Sequence, residues 1–177
     1  VTKFLLSLFV IFSLSACANY DYKPQVKLGE PLLNFEGQSL DGTPYELPVA
    51  LQGKKALLLF GYIHKSQFDI DRWLIGLNQI QVDVAVFEIP AIQGFIPRLL
   101  STRFDDSMRE GIPRELWADV ITVYEDGDRV QHFTGNESPK NARVVLLNEN
   151  GVVTHFYDRG FSVNALNEVA KAVSKLN

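Results

Sequence analysis

The sequence predicts an α/β domain in which a central mixed β-sheet is flanked by helices, with an N-terminal β-hairpin extension. Three observations carry this expectation. Ala56–Phe60 is an unbroken apolar run of the kind found in strands buried on both faces. Ile70, Trp73, Leu74, Leu77 and Ile80 follow it at helical spacing. Arg143–Leu147 and Val152–Tyr157 flank Asn150-Gly151, a strong hairpin turn.

The composition agrees and excludes several function classes. The chain has 177 residues, 46% of them hydrophobic, which suits one folded domain with a real core. Its 17 basic and 21 acidic residues give a formal charge of −4, so no basic footprint for nucleic acid exists. The single cysteine, Cys17, permits no internal disulfide, no CxxC pair and no multi-thiolate zinc site.

Along the chain, Lys3 precedes an apolar stretch from Phe4 to Leu14, too short for a permanent membrane span and suited to a secretory signal. Val1 then reads as an alternative start codon rendered literally. Residues 18–27 are polar, contain Pro24 and read as a tether. Leu32–Phe35 and Tyr45–Leu47 around Asp41-Gly42 form the hairpin. After the strand at Ala56 and the helix that follows, Val82–Ile89 is a second buried strand closed by Pro90. Ile96, Leu99, Leu100, Phe104 and Met108 make a second helical stripe starting near Pro97. Val120–Tyr124 and Arg129–Phe133 read as short strands around Asp126-Gly127. Val163, Leu166, Val169, Ala170 and Val173 give a C-terminal helix with Ser162 as N-cap.

Leu14-Ser15-Ala16-Cys17 resembles the bacterial lipobox. The resemblance implies cleavage before Cys17, lipidation of Cys17 and a membrane lipoprotein facing the periplasm. Ala18 after the cysteine favours the outer membrane. The expected organisation is a signal peptide over 1–16, a lipidated tether over 17–27 and the domain over 28–177.

The element order resembles the thioredoxin-like fold with the extension of its peroxiredoxin-like branches. Phe60-Gly61-Tyr62-Ile63-His64-Lys65-Ser66-Gln67-Phe68-Asp69 also resembles the metal loop of the SCO/SenC copper chaperones, Phe-Gly-Tyr-Thr-His-Cys-Pro-Asp-x-Cys-Pro. Phe60, Gly61, Tyr62 and His64 match, whereas Lys65 and Asp69 stand at the two cysteines and Lys140 falls near the third ligand, a histidine. Oxidoreductases of this fold also carry a proline before the strand at Arg143, where this chain has Lys140-Asn141-Ala142. Soft thiolates select Cu(I), and a thiolate is the nucleophile in disulfide exchange. An ammonium and a carboxylate do neither, so the resemblance implies a fold without the activity. A second likeness, from Glu88 to Phe161, is to thioredoxin-like assembly factors of the mitochondrial ATP synthase, which act on partners.

The expectation is therefore a non-enzymatic domain without cofactor or metal that binds an envelope or membrane protein. Ser66 and Asp69 fit a helix capping box, with Asp71 adding to the first turn and Lys65 neutralising both. The sharper reading makes Tyr62, His64, Lys65 and Asp69 a recognition surface. Arg98 and Arg103, with Arg109 and Arg114, read as a solvated face or as a docking face for an acidic partner or lipid headgroups. Alternatives are copper handling through His64 and Asp69 with a strand histidine, His132 or His155, and an unrecognised enzyme using the His64 loop. Phe95, Trp117 and Phe161 are candidate exposed anchors or satellite packing.

Overall fold

A computed structural model describes residues 20–94 and 98–176. The signal segment, Cys17, Ala18, Phe95, Ile96 and Pro97 lie outside the described residues.

Two sheets build the domain. The first has the order β2-β1-β5 and the second β4-β3-β6-β7. β1 (Phe35–Ser39) and β2 (Pro44–Leu47) form the expected hairpin, joined on the other edge of β1 by β5 (Ile121–Thr122). β3 (Ala56–Gly61) is central, parallel to β4 (Ala85–Pro90) and antiparallel to β6 (Arg143–Leu147), which pairs with β7 (Val153–Tyr157). This is a thioredoxin-like fold, as the element order predicts.

The strand period of two splits the apolar residues into two cores. Leu57 and Leu59, with Val144 and Leu146, face α1 (Gln67–Gln79) and α4 (Val163–Ser174) through Ile70, Trp73, Leu77, Leu166, Val169 and Val173. Ala56, Leu58 and Phe60 face the opposite way, onto Phe35, Leu47, Ile121 and Val130. Ser162 caps α4 as expected, its Oγ accepting the Ala165 N–H at 3.1 Å.

Four expectations are corrected. Arg129–Phe133 is not a strand but part of helix α3 (Gly127–Thr134). Its alternation of polar and apolar residues is overridden by packing: Val130, Gln131 and Thr134 are buried, and Gln131 Nε2 donates to Ala91 O at 2.7 Å. A Cβ at residue 127 would sit 2.1 Å from Ile92 O, so only glycine fits where this helix meets the chain after β4.

The second helix, α2 (Ser101–Gly111), forms as expected, but the apolar stripe along this stretch is not core. Leu99, Leu100 and Phe104 are exposed, while Asp105 is buried against Tyr124, whose hydroxyl donates to Asp105 Oδ1 at 2.9 Å.

The segment read as a tether is docked from Tyr22 onward. Tyr22 N donates to Asn136 Oδ1 and Asn136 N to Tyr22 O, while Gln25 N donates to Phe133 O. Tyr22 stacks on His132 at 4.2 Å between ring centroids.

Of the two histidines read as strand residues, His155 lies on β7, whereas His132 is on helix α3. No described helix is long and apolar enough to cross a membrane.

Candidate functional site

The loop after β3 is shaped by its glycine. A Cβ at Gly61 would lie 2.7 Å from Ser66 Oγ and 2.8 Å from Ile70 Cδ1, so the helix can return this closely only over a bare backbone. His64–Ser66 forms a single 3-10 turn that runs into α1. Its side chains divide sharply. His64 and Lys65 are exposed, while Tyr62, Ser66 and Asp69 are buried.

The capping box is absent. Ser66 Oγ donates to Ile63 O at 2.7 Å instead of accepting from the helix. Asp69 turns inward and is 2% exposed. Its Oδ2 accepts the Ala142 N–H at 2.9 Å; its Oδ1 accepts the Phe161 N–H at 2.8 Å and Arg72 Nη2 at 2.6 Å. One carboxylate thus ties the start of α1 to the chain entering β6 and to the chain entering α4. Charge-assisted bonds of this kind are roughly twice as strong as neutral ones, and the buried amides would otherwise be orphaned.

A matching cation lies beside it. Arg143, 2% exposed, opens β6 and gives Nε to Gly135 O at 2.8 Å and Nη1 to Ser138 O and Asn141 O at 2.8 and 2.7 Å. Its guanidinium stacks 4.9 Å above the Tyr62 ring. The Tyr62 hydroxyl is bonded to Thr134 Oγ1, and burial pushes its pKa up to about 12. A small cleft of about 200 Å³ opens over Arg143, lined by Tyr22, Asn136, Asn141 and Asp158 among others.

Of the predicted recognition surface, then, only His64 and Lys65 reach solvent; Tyr62 and Asp69 are corrected to structural roles. Arg98 pairs with Glu125, Nη1 to Oε2 at 3.4 Å, and Arg103 is exposed. No hydrogen bond or ion pair among the described residues links either arginine to the His64 loop. Arg109 is bound to Leu40 O and Asp106 and stacks on Trp117 at 5.8 Å. Trp117 is held by Ile112 O at 2.9 Å, and Phe161 packs edge-on against Trp73 at 5.4 Å, so both are packing residues.

The metal alternative meets a poor donor set. Both Asp69 oxygens already accept hydrogen bonds, and no group of three or more His, Cys, Asp or Glu among the described residues converges to hold an ion. Copper of the kind bound by SCO/SenC loops does not fit here, since no thiolate is present in the loop to select it. His132 Nδ1 lies 3.0 Å from Gln25 Nε2, and partial burial lowers the pKa of the half-buried His155.

Sequence reasoning missed Arg143 and Ala142 as members of this site. The signal was present: a charge at the mouth of a buried strand, and a non-proline where the resemblance calls for proline.

No protein-family model and no curated protein matches the chain. Solved structures do. A SCO1/SenC family lipoprotein from Bacillus anthracis str. Ames aligns at TM-score 0.58 and 14% identity, over 87% of this chain and 99% of that one. Arabidopsis thaliana ScoI with copper bound aligns at TM-score 0.55 and 15% identity, over 81% and 98%. The exposed lipoprotein thioredoxin Etrx1 from Streptococcus pneumoniae strain TIGR4 aligns at 0.53 and 14%, over 78% and 98%. Identities this low establish a shared fold.

Proposed function

We propose that this thioredoxin-like chain is a redox-inactive partner-binding domain, held at a bacterial membrane by lipid on Cys17, that assists assembly of an envelope protein. One observation supports the reading above others. Asp69, which stands at a cysteine of the resembled loop, accepts a hydrogen bond from the N–H of Ala142, the last residue of the Lys140-Asn141-Ala142 stretch in which the resemblance calls for proline. Proline has no N–H to give. The two departures therefore complement each other: the carboxylate needs the amide, and the amide needs the carboxylate. A chain that had merely lost its thiols would not require that match. The place of chemistry has become a structural tie, leaving His64 and Lys65 as the accessible remnant of the loop.

The test uses the full-length protein in its own membranes. A photo-crosslinking residue at Lys65 is expected to yield a discrete adduct that disappears when His64→Ala is added. Disulfide reductase activity, or Cu(I) binding tighter than micromolar by the purified protein, would sink the proposal. Acyl labelling is expected in the wild type and lost in Cys17→Ser, with the labelled protein in the outer-membrane fraction. Labelling that persists in Cys17→Ser removes the anchor from the reading.

A further inference from the structure

We propose that a second site, the groove between α1 and the outer edge of β4, binds an extended segment of a partner polypeptide in which apolar residues alternate with lysine or arginine. This goes beyond the reading of the His64 loop and stands whether or not that loop binds anything, since neither His64 nor Lys65 lines the groove.

The groove encloses about 730 Å³. Leu74, Val86, Ile112 and Leu116 form its apolar walls, and Leu116 is 48% exposed. Open apolar surface of this kind favours an apolar cover.

Its charge is one-sided. Asp71, Asp83 and Asp119 line it together with Glu88, and no lysine, arginine or histidine does so among the described residues. Carboxylates without counter-charges in a walled cleft favour a cationic ligand and repel an acidic one.

Glu88 lies deepest. It is 6% exposed, and the only hydrogen bond to its carboxylate among the described residues is a long one, Gln67 Nε2 to Oε2 at 3.4 Å. The carboxyl therefore has acceptor capacity for a donor arriving from the groove. Burial, with Asp71 nearby, raises its pKa to about 7, so an incoming ammonium or guanidinium takes the place of a proton.

The border of the groove argues for a chain rather than a compact amine. β4 pairs with β3 on one side; among the described residues its outer edge is bridged at Glu88, to Val120, and just past its end at Ala91, to Val123. Ala85–Phe87 is left as open strand edge beside the groove, and Val86 lines it. An extended segment can add main-chain hydrogen bonds there while alternate side chains enter the groove and meet the carboxylates.

The test is fluorescence anisotropy with the full-length protein and a fluorescein-labelled Leu-Lys-Leu-Lys-Leu-Lys peptide, against Ser-Lys and Leu-Glu peptides of the same length. The Leu-Lys peptide should bind about tenfold or more tighter than either control. Leu116→Ser and Asp119→Asn should each weaken it by about fivefold. Ile75→Ser and Glu46→Gln, exposed positions outside the groove, should leave it unchanged. Equal binding of the Ser-Lys peptide would mean charge alone is read and would overturn the proposal. So would indifference to Leu116→Ser, an equal loss in Ile75→Ser, or no binding at all.

Discussion

Asp69 shows what one residue can do when it leaves the surface. At the start of a helix a carboxylate is normally stabilised by the helix dipole and remains in solvent. Here the same carboxylate is drawn inside because two amides on distant segments, at Ala142 and Phe161, lack any other described acceptor. Asp69→Ala strands both donors in the core and is expected to cost about 3–5 kcal/mol in urea unfolding. An effect below about 1 kcal/mol would mean that water replaces the carboxylate. The pairing with Ala142 makes a sharper prediction. Ala142→Pro should destabilise the wild type and cost less in an Asp69→Asn background, with a coupling energy of about 1–2 kcal/mol from the double-mutant cycle. Equal costs in the two backgrounds would show that the proline fails for steric reasons and not for its missing donor.

Elements in this chain are set by different evidence. β3, β6 and α4 are legible in their own residues: β3 and β6 carry unbroken apolar runs buried on both faces, and α4 carries one apolar stripe and a capping serine. α3 is not, since its burial depends on Gln131 finding Ala91 O and on Gly127 meeting Ile92. The segment after Tyr20 belongs to this second class. Its composition is that of a tether, but Tyr22–Val26 lies along α3 and the chain that follows it, with backbone bonds to Phe133 and Asn136. A chain starting at Leu28 should therefore lose about 2–4 kcal/mol of stability relative to one starting at Tyr20. Coincident urea midpoints for the two would show that the docked strap adds nothing to the fold.

For the whole molecule the buried Glu88 should govern the response to pH. Its folded pKa of about 7 exceeds the ordinary 4.5, so the folded state holds the proton more tightly than the unfolded chain does. The associated stability is fully present below about pH 4.5, falls as pH rises, and is gone above about pH 7. The shift corresponds to about 3 kcal/mol at most. Unfolding free energies measured from pH 5 to pH 8 should decline by up to that amount, and Glu88→Gln should flatten the curve. A slope unchanged by the substitution would assign the proton to another group. The wall that buries Glu88 is assembled from α1, β4 and the chain leaving α2, which no single stretch of sequence announces.

By itself the sequence determined the strand–helix–strand run of β3, α1 and β4, the hairpin at Asn150-Gly151, the cap at Ser162 and the absence of thiols from the loop after β3. Those properties are local: periodicity, turn chemistry and residue identity act within a few positions of one another. Only the tertiary structure decided that Asp69 is a tie rather than a cap, that Arg129–Phe133 is helical, that Leu99, Leu100 and Phe104 face outward and that Tyr22–Val26 is docked. The reason is reach. A polar group is buried only when its partner is supplied, and the two amides that hold Asp69 lie 73 and 92 residues further along the chain.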